Sequence, residues 1–369
     1  MRSMISVFGS HVGPEEMAEV RSSLEAQWMG LGPKVRTFES EFARRLGLND
    51  FAMLDSGSNS LQMAVRLLDL APGSEVIVPS FTWIACAHAA LLCNCVPVFC
   101  DVDLASHNVT AETVRPHLTR KTGAVMVVHY GGKPARMGPL LALGLPVIED
   151  AAHAVDSRVN GVACGALGTI GVYSFDAVKN LASPDGGGVT ARDPEMMTRS
   201  RLLRYCGIGK SGLEASATSE CWWEYNVAEI FPRFLPNDIA ASVALAQLWK
   251  LDVLQARRKE IWDLYQREFA ELGWLVRPLD AEPGEQHSYF TYCVRVSGGR
   301  RNGFAKYLYD RGIYTTLRYH PLHLNPIYRS EAKLPVCEQL NAEAINLPLH
   351  PRLSADDVAA VVEAVHRFR

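Results

Sequence analysis

Between residues 75 and 190, short apolar runs rich in Val and Ile alternate with segments of helical length: 75–79 (EVIVP), 96–100 (VPVFC), 124–128 (AVMVV) and 146–150 (PVIED). A strand that alternates apolar and polar residues has one wet face, whereas a strand that is apolar throughout is covered on both. The pattern therefore restricts the chain to an α/β architecture, a mostly parallel sheet between layers of helix. In open sheets of this kind ligands sit beyond the carboxyl ends of the strands. The polar residues that follow each run become the candidates: 80–83, then His129 and Tyr130, then 150–153.

A chain of 369 residues exceeds what one core usually fills. The strand-and-helix alternation gives way near residue 239 to a long helical stretch, followed by a loop at 282–286, a strand at 289–296 and a closing helix from Ser354. The expected organisation is an N-terminal segment and large α/β domain over 1–238, a long linking helix over 239–270, and a small α+β domain over 271–369. Hydrophobic residues at 48% against 21% charged exclude disorder as the main character. With 37 Lys plus Arg against 40 Asp plus Glu, the net charge of −3 offers no basic field for nucleic acid or an anionic membrane. Nine scattered cysteines without a CxxC pair read as reduced thiols of a cytoplasmic protein, and no apolar stretch approaches the twenty residues a membrane span needs. No metal site is expected.

Three local features can carry chemistry. In 55–60 (DSGSNS), small residues directly precede the helical run 61–68, an arrangement that suits an anion at a helix start and equally an ordinary serine N-cap with a turn glycine. Asp150 ends an apolar strand beside two alanines, which delivers a carboxylate either to the ligand edge of the sheet or to a helix N-cap. Lys179 follows another apolar strand and precedes three glycines; in a desolvated pocket its amine is a nucleophile, in water an ordinary lysine. Three other motifs carry less. In 207–211 (GIGKS) Arg204 stands where a phosphate-binding loop needs its first glycine, the proline in 320–323 (HPLH) works against aiming both imidazoles at one metal, and Trp222 with Trp223 reads as packing.

Taken in order, these residues resemble the DegT/DnrJ/EryC1/StrS family of sugar aminotransferases, pyridoxal phosphate (PLP) enzymes of fold type I. The resemblance is carried by 32–35 (GPKV) with Phe38 and Glu39, by 56–58 (SGS), by 75–83 (EVIVPSFTW), by Pro97 to Phe99 with 101–103 (DVD), and by 147–153 (VIEDAAH). It continues through Ser174 and Phe175 with Lys179 and Asn180, 185–188 (DGGG), 238–241 (DIAA), Gln247 and Leu248, Arg257 and Arg258, and 319–323 (YHPLH). It implies that Lys179 holds PLP as a Schiff base and shuttles the proton, that Asp150 pairs with the pyridine nitrogen, and that Trp83 stacks on the ring. Ser58 and Asn59 through backbone amides, with the Ser174 hydroxyl, would hold the phosphate, and His153 would lie beside the ring.

The implied reaction transfers an amino group from glutamate or glutamine to a keto group of a nucleotide-activated ketosugar, with pyridoxamine phosphate as the intermediate form of the cofactor. A keto-cyclitol acceptor keeps the same mechanism; a non-catalytic sensor or scaffold is the reading of another class. A dehydrogenase is disfavoured, since no Gly-x-Gly-x-x-Gly follows an early strand. The resemblance also implies a homodimer with the active site at its interface. Two positions depart from the family. Leu235 stands where relatives often place an asparagine or arginine that reaches the partner's phosphate, with Asn237 as a substitute only if the loop runs differently, and Arg318 stands where many have histidine. A related branch that dehydrates ketosugars has histidine in place of the lysine, and Lys179 argues against it.

Overall fold

The computed structural model describes residues 4–208, 223 and 225–368. Each apolar run becomes a strand. In chain order these are β1 Ala52–Leu54, β2 Glu75–Pro79, β3 Val96–Cys100, β4 Thr122–Val128 and β5 Val147–Asp150, then a small hairpin of β6 Arg158–Val159 and β7 Val162–Ala163, then β8 Ile170–Ser174 and β9 Gly187–Ala191. Seven of them form one sheet in the order β1-β9-β8-β5-β4-β2-β3, in which only β9 runs against the rest. Every residue of β5, β8 and β9 is buried, as strands covered on both faces require. The architecture is the α/β, mostly parallel arrangement expected of fold type I.

The helices that frame the site are α1 Pro14–Glu25, α2 Pro33–Leu46, α3 Gly57–Leu67 and α4 Ala85–Leu92. Helix α2 shows how distant motifs meet. Pro33 occupies its first turn, where a missing N–H costs nothing, and Gly47 closes it at φ 72°, a left-handed value that suits glycine. Its two leading amides, Lys34 and Val35, each donate at 3.1 Å to the carboxylate of Asp238, which is itself 1% exposed. The inward face of α2 then packs Phe38 and Phe42 onto Phe51, Tyr173 and Phe175, an aromatic cluster beneath the end of β8.

The single helix expected over 239–270 is two helices, Asp238–Trp249 and Leu251–Glu268. Lys250 leaves helical geometry at φ −103°, ψ 10°, and its ammonium pairs with the buried Glu16 at 2.6 Å. The break has a packing cause. The first helix is apolar almost all round and lies against α1 and α2; the second is amphipathic and turns one face to a different cluster containing Trp262, Tyr265, Tyr292, Phe304 and Val361. That second cluster includes β10 Leu275–Val276, β12 Tyr292–Val296 and β13 Ala344–Leu347 as an antiparallel sheet, while β11 Glu285–Gln286 crosses to pair with β6. Ser354 caps the closing helix Ala355–Arg367. Ile5 packs in this C-terminal cluster and bridges Ile313, so the N-terminal segment is tied to that cluster. Among the described residues no helix is long and apolar enough to cross a membrane.

Phe42 has ring neighbours at 4.5 Å (Phe51), 5.0 Å (Tyr173) and 5.2 Å (Phe175). Phe42→Ala is expected to cost about 3–5 kcal/mol, read as a lower urea midpoint for loss of the large core. Val253→Ala, at a 72% exposed position, should stay within about 0.5 kcal/mol of wild type.

Candidate active site

The carboxyl ends of β1, β2, β4, β5 and β8 open onto one cavity of about 440 Å³, within the size range of small-molecule sites. Ser58, Trp83, Asp150, His153, Ser174 and Lys179 all line it. Asn59 does not. Its N–H donates to Ser56 Oγ at 3.1 Å and its side-chain amide to Asp55 at 2.8 Å. Ser56 is thus the N-cap of α3, and the two leading amides, which have no intrahelical acceptor, belong to Gly57 and Ser58. The expected pair of amides shifts by one residue for this reason: a capping serine takes the third N–H of the helix. The cap reading and the anion reading of this segment describe the same geometry.

Gly57 is required by contact. A Cβ there would lie 2.6 Å from Ser174 Cβ and 2.8 Å from Ser174 Oγ. Its absence lets the helix start press against the end of β8, so amides and hydroxyl face one space. This is a cradle with the donors a phosphate needs.

Asp150 is 4% exposed and is held by hydrogen bonds on both oxygens. Ala152 N–H donates to Oδ1 at 3.0 Å, and the Cys86 thiol, on the first turn of α4, donates to Oδ2 at 3.3 Å. Burial and the neighbouring carboxylate push the Cys86 thiol far above its ordinary range, so it remains an S–H donor. Lys179 follows β8 through a turn closed by its own N–H on the Asp176 carbonyl at 2.8 Å. Burial, with Arg318 as the next cause, brings its pKa down to about 8 against the pull of Asp150.

His153 stacks on Phe290 with centroids 4.1 Å apart. Its Nδ1 accepts from Gly131 N–H at 3.4 Å, so the hydrogen on Nε2 faces the Tyr319 hydroxyl at 3.1 Å. Burial first, then Lys179 and Arg318, hold this imidazole neutral. Trp83 is half exposed at the mouth, its ring 5.6 Å from that of Tyr319.

The other strand-end candidates serve the fold. Ser80 bonds His323 Nδ1 at 2.6 Å, His129 bonds Glu149 at 2.9 Å, and the Tyr130 hydroxyl donates to the Arg318 carbonyl. His320 and His323 take separate partners, Asn341 and Ser80. Residues 209–211 and Trp222 lie outside the described residues; Trp223, expected as packing, is 62% exposed. Asn237 cannot spare its side-chain oxygen, which caps its helix by accepting from Ala240 N–H at 2.9 Å. Sequence reasoning did not place Phe8, Thr316 or Tyr319 in the cavity, and it flagged Arg318 only as a departure. No local pattern marks residues from both chain ends as neighbours of Lys179.

Comparison with known proteins agrees with this geometry. The model of the DegT/DnrJ/EryC1/StrS aminotransferase family matches residues 10–366. The chain is 38% identical over 367 residues to dTDP-4-dehydro-2,3,6-trideoxy-D-glucose 4-aminotransferase of Saccharopolyspora spinosa, covering 98% of this chain and 95% of that protein. Among solved structures it is similar to the aminotransferase TlmJ of Streptoalloteichus hindustanus, at TM-score 0.93 and 39% identity over 98% of each chain. It is also similar to Spr1654 of Streptococcus pneumoniae in its PMP form, at TM-score 0.91 and 26% identity over 97% of each chain.

The Lys179 amine of the cofactor-free protein should titrate near pH 8, because burial disfavours the ammonium form and the neutral fraction therefore grows from that pH upward. Labelling of Lys179 by a small acylating reagent, quantified by peptide mass spectrometry, checks this; a half-maximum at the ordinary 10.5 would contradict it.

Proposed function

The chain belongs to the DegT/DnrJ/EryC1/StrS aminotransferase family, and from that premise we propose that it moves an amino group from L-glutamate or L-glutamine to the keto group of a nucleotide-activated ketosugar, with PLP as cofactor. The observation that carries the reading is a buried amine, depressed to about 8, sharing one cavity with a buried, hydrogen-bonded carboxylate. The name of the Saccharopolyspora relative, an aminotransferase of a dTDP-linked ketosugar, supports the acceptor class, and the PMP form of the Streptococcus structure supports the cofactor.

The residues fit PLP. The Gly57 and Ser58 amides and the Ser174 hydroxyl would hold the phosphate, Asp150 would accept from the pyridine nitrogen, and Trp83 would cover a ring face. When bound, PLP supplies the electron sink for the carbanion formed at the nitrogen-bearing carbon. Lys179 Nζ would carry the proton between that carbon and C4′ of the cofactor, a task suited to an amine that is substantially neutral near pH 8. The Asp150 carboxyl group stays aimed because Ala152 N–H and the Cys86 thiol fix both oxygens. Neutral His153 aligns Tyr319 without adding a second cation beside Lys179. A homodimer belongs to the same reading, supported by the exposed Trp223, Tyr225 and Ile230; a clean monomer on sedimentation would contradict it. The eight described cysteines are free thiols, which supports a cytoplasmic setting.

The PLP-loaded wild type should show a visible absorption band that bleaches with L-glutamate, and Lys179→Ala should lack that band and lose about 10²–10⁴-fold in turnover. A folded wild type without the band would overturn the aminotransferase reading in favour of a sensor or scaffold. Amination of a ketosugar that lacks the diphosphate as readily as one that carries it would shift the acceptor to the cyclitol class.

A further inference from the structure

Arg318 is the one arginine among the described residues lining the cavity, and it is 7% exposed. A buried guanidinium costs free energy unless a carboxylate or other acceptors meet it. Among the described residues no carboxylate is ion-paired with it, its Nε–H is buried without a partner, and its one side-chain bond is from Nη1 to the Tyr319 hydroxyl at 3.3 Å.

The group is nevertheless rigidly presented. Its backbone N–H donates to Asn346 Oδ1 at 3.0 Å and its carbonyl accepts from Tyr130, so the main chain is tied to β13 and to the end of β4. The guanidinium carbon lies 3.9 Å from the centroid of Phe8 and 4.9 Å from that of Phe290. Aromatic faces stabilise the cation and leave its in-plane N–H donors unused. The same Phe290 ring has Lys179 Nζ 5.0 Å from its centroid, which places the reacting amine and the guanidinium on one wall.

Resting on the aminotransferase reading, we propose that Arg318 is the receptor for the α-carboxylate of the amino donor. The planar fork matches a carboxylate two bonds for two. The α-carboxylate is attached to the very carbon whose proton Lys179 removes, so a receptor sharing a wall with Lys179 suits it better than a diphosphate several atoms from the reacting carbon. Tyr319 adds a third point. Its oxygen already accepts from Arg318 and from His153, so its own hydrogen is free to donate to the same anion.

The test titrates L-glutamate against the visible band of the PLP-loaded enzyme. Arg318→Met is expected to raise the half-saturating concentration roughly ten- to hundredfold, the scale of a lost charge-assisted hydrogen bond, with Arg318→Lys in between. dTDP, used as a competitive probe of the acceptor site, should bind both variants as it binds wild type. A second measurement needs no variant: 4-aminobutanoate, which keeps the amine and distal carboxylate of glutamate but lacks the α-carboxylate, should bleach wild type only at far higher concentration. Equal response to the two donors overturns the assignment, as does an unchanged glutamate titration in Arg318→Met. Weakened dTDP binding with glutamate unaffected moves the guanidinium to the acceptor's diphosphate and overturns it too. A wild type that never shows or bleaches the band would instead fail the aminotransferase reading, a different result.

Discussion

The structure depends on how it tolerates charge in a place sealed from water. Asp150 terminates a strand in which every residue is buried, and an unpaired carboxylate there would be costly. Two hydrogen bonds lower the cost: the Ala152 amide on one oxygen and the Cys86 thiol on the other. Lys179, equally buried, meets the opposite compromise and releases its proton more readily. An amine that sheds its proton readily is what proton transfer at a carbon needs, and that follows from desolvation, while the two hydrogen bonds on Asp150 fix where its oxygens point. The aromatic cluster of Phe38, Phe42, Phe51, Tyr173 and Phe175 is the support under this arrangement, because it fixes the end of β8 from which Lys179 departs.

Much of this was legible in the chain because it is local. Strands apolar at every position announce a sheet covered on both faces, and a polar residue directly after such a strand can only sit at its end. Asp150 follows from that rule; Lys179 was a candidate because it trails an apolar strand, and Ser174 came only with the family resemblance. The rule also admits Ser80, His129 and Tyr130, which the structure commits to His323, Glu149 and the Arg318 carbonyl. Local sequence cannot separate the two groups, since the difference lies in partners distant in the chain. The break at Lys250 is of the same kind: nothing in 239–270 forbids one helix, and the division reflects two packing surfaces facing different ways. The shift from Asn59 to Gly57 is subtler. The motif was visible, but which amide stays free is decided by the Ser56 cap.

Phe8, Thr316, Arg318 and Tyr319 close the cavity from the two ends of the chain. Their association follows from the bridge between Ile5 and Ile313, which packs the N-terminal segment in the cluster that contains β12 and β13. The seven-stranded sheet thus presents Asp150, Ser174 and Lys179, and Phe8 with residues 316–319 supplies another wall of the same cavity. A change at Arg318 would therefore reach Lys179 as well, since its charge helps to lower the pKa of that amine.

The distribution of positive charge then constrains what each end of the cavity can hold. Among the described lining residues the only lysine and arginine are Lys179 and Arg318, and both lie against Phe290. The start of α3 offers amides and a hydroxyl but no cation, and burial raises the pKa of the Asp55 and Asp185 carboxyl groups. An anion there must be held by fixed dipoles, which are oriented by the fold and lose little on desolvation. Close fit replaces charge, which is why a single Cβ at Gly57 would matter more than any surface substitution near it. Leu235 and the capped Asn237 add no charge to that end from this chain. On the proposed assignment the donor's carboxylate falls to Arg318, the one guanidinium among the described lining residues, which no carboxylate there meets.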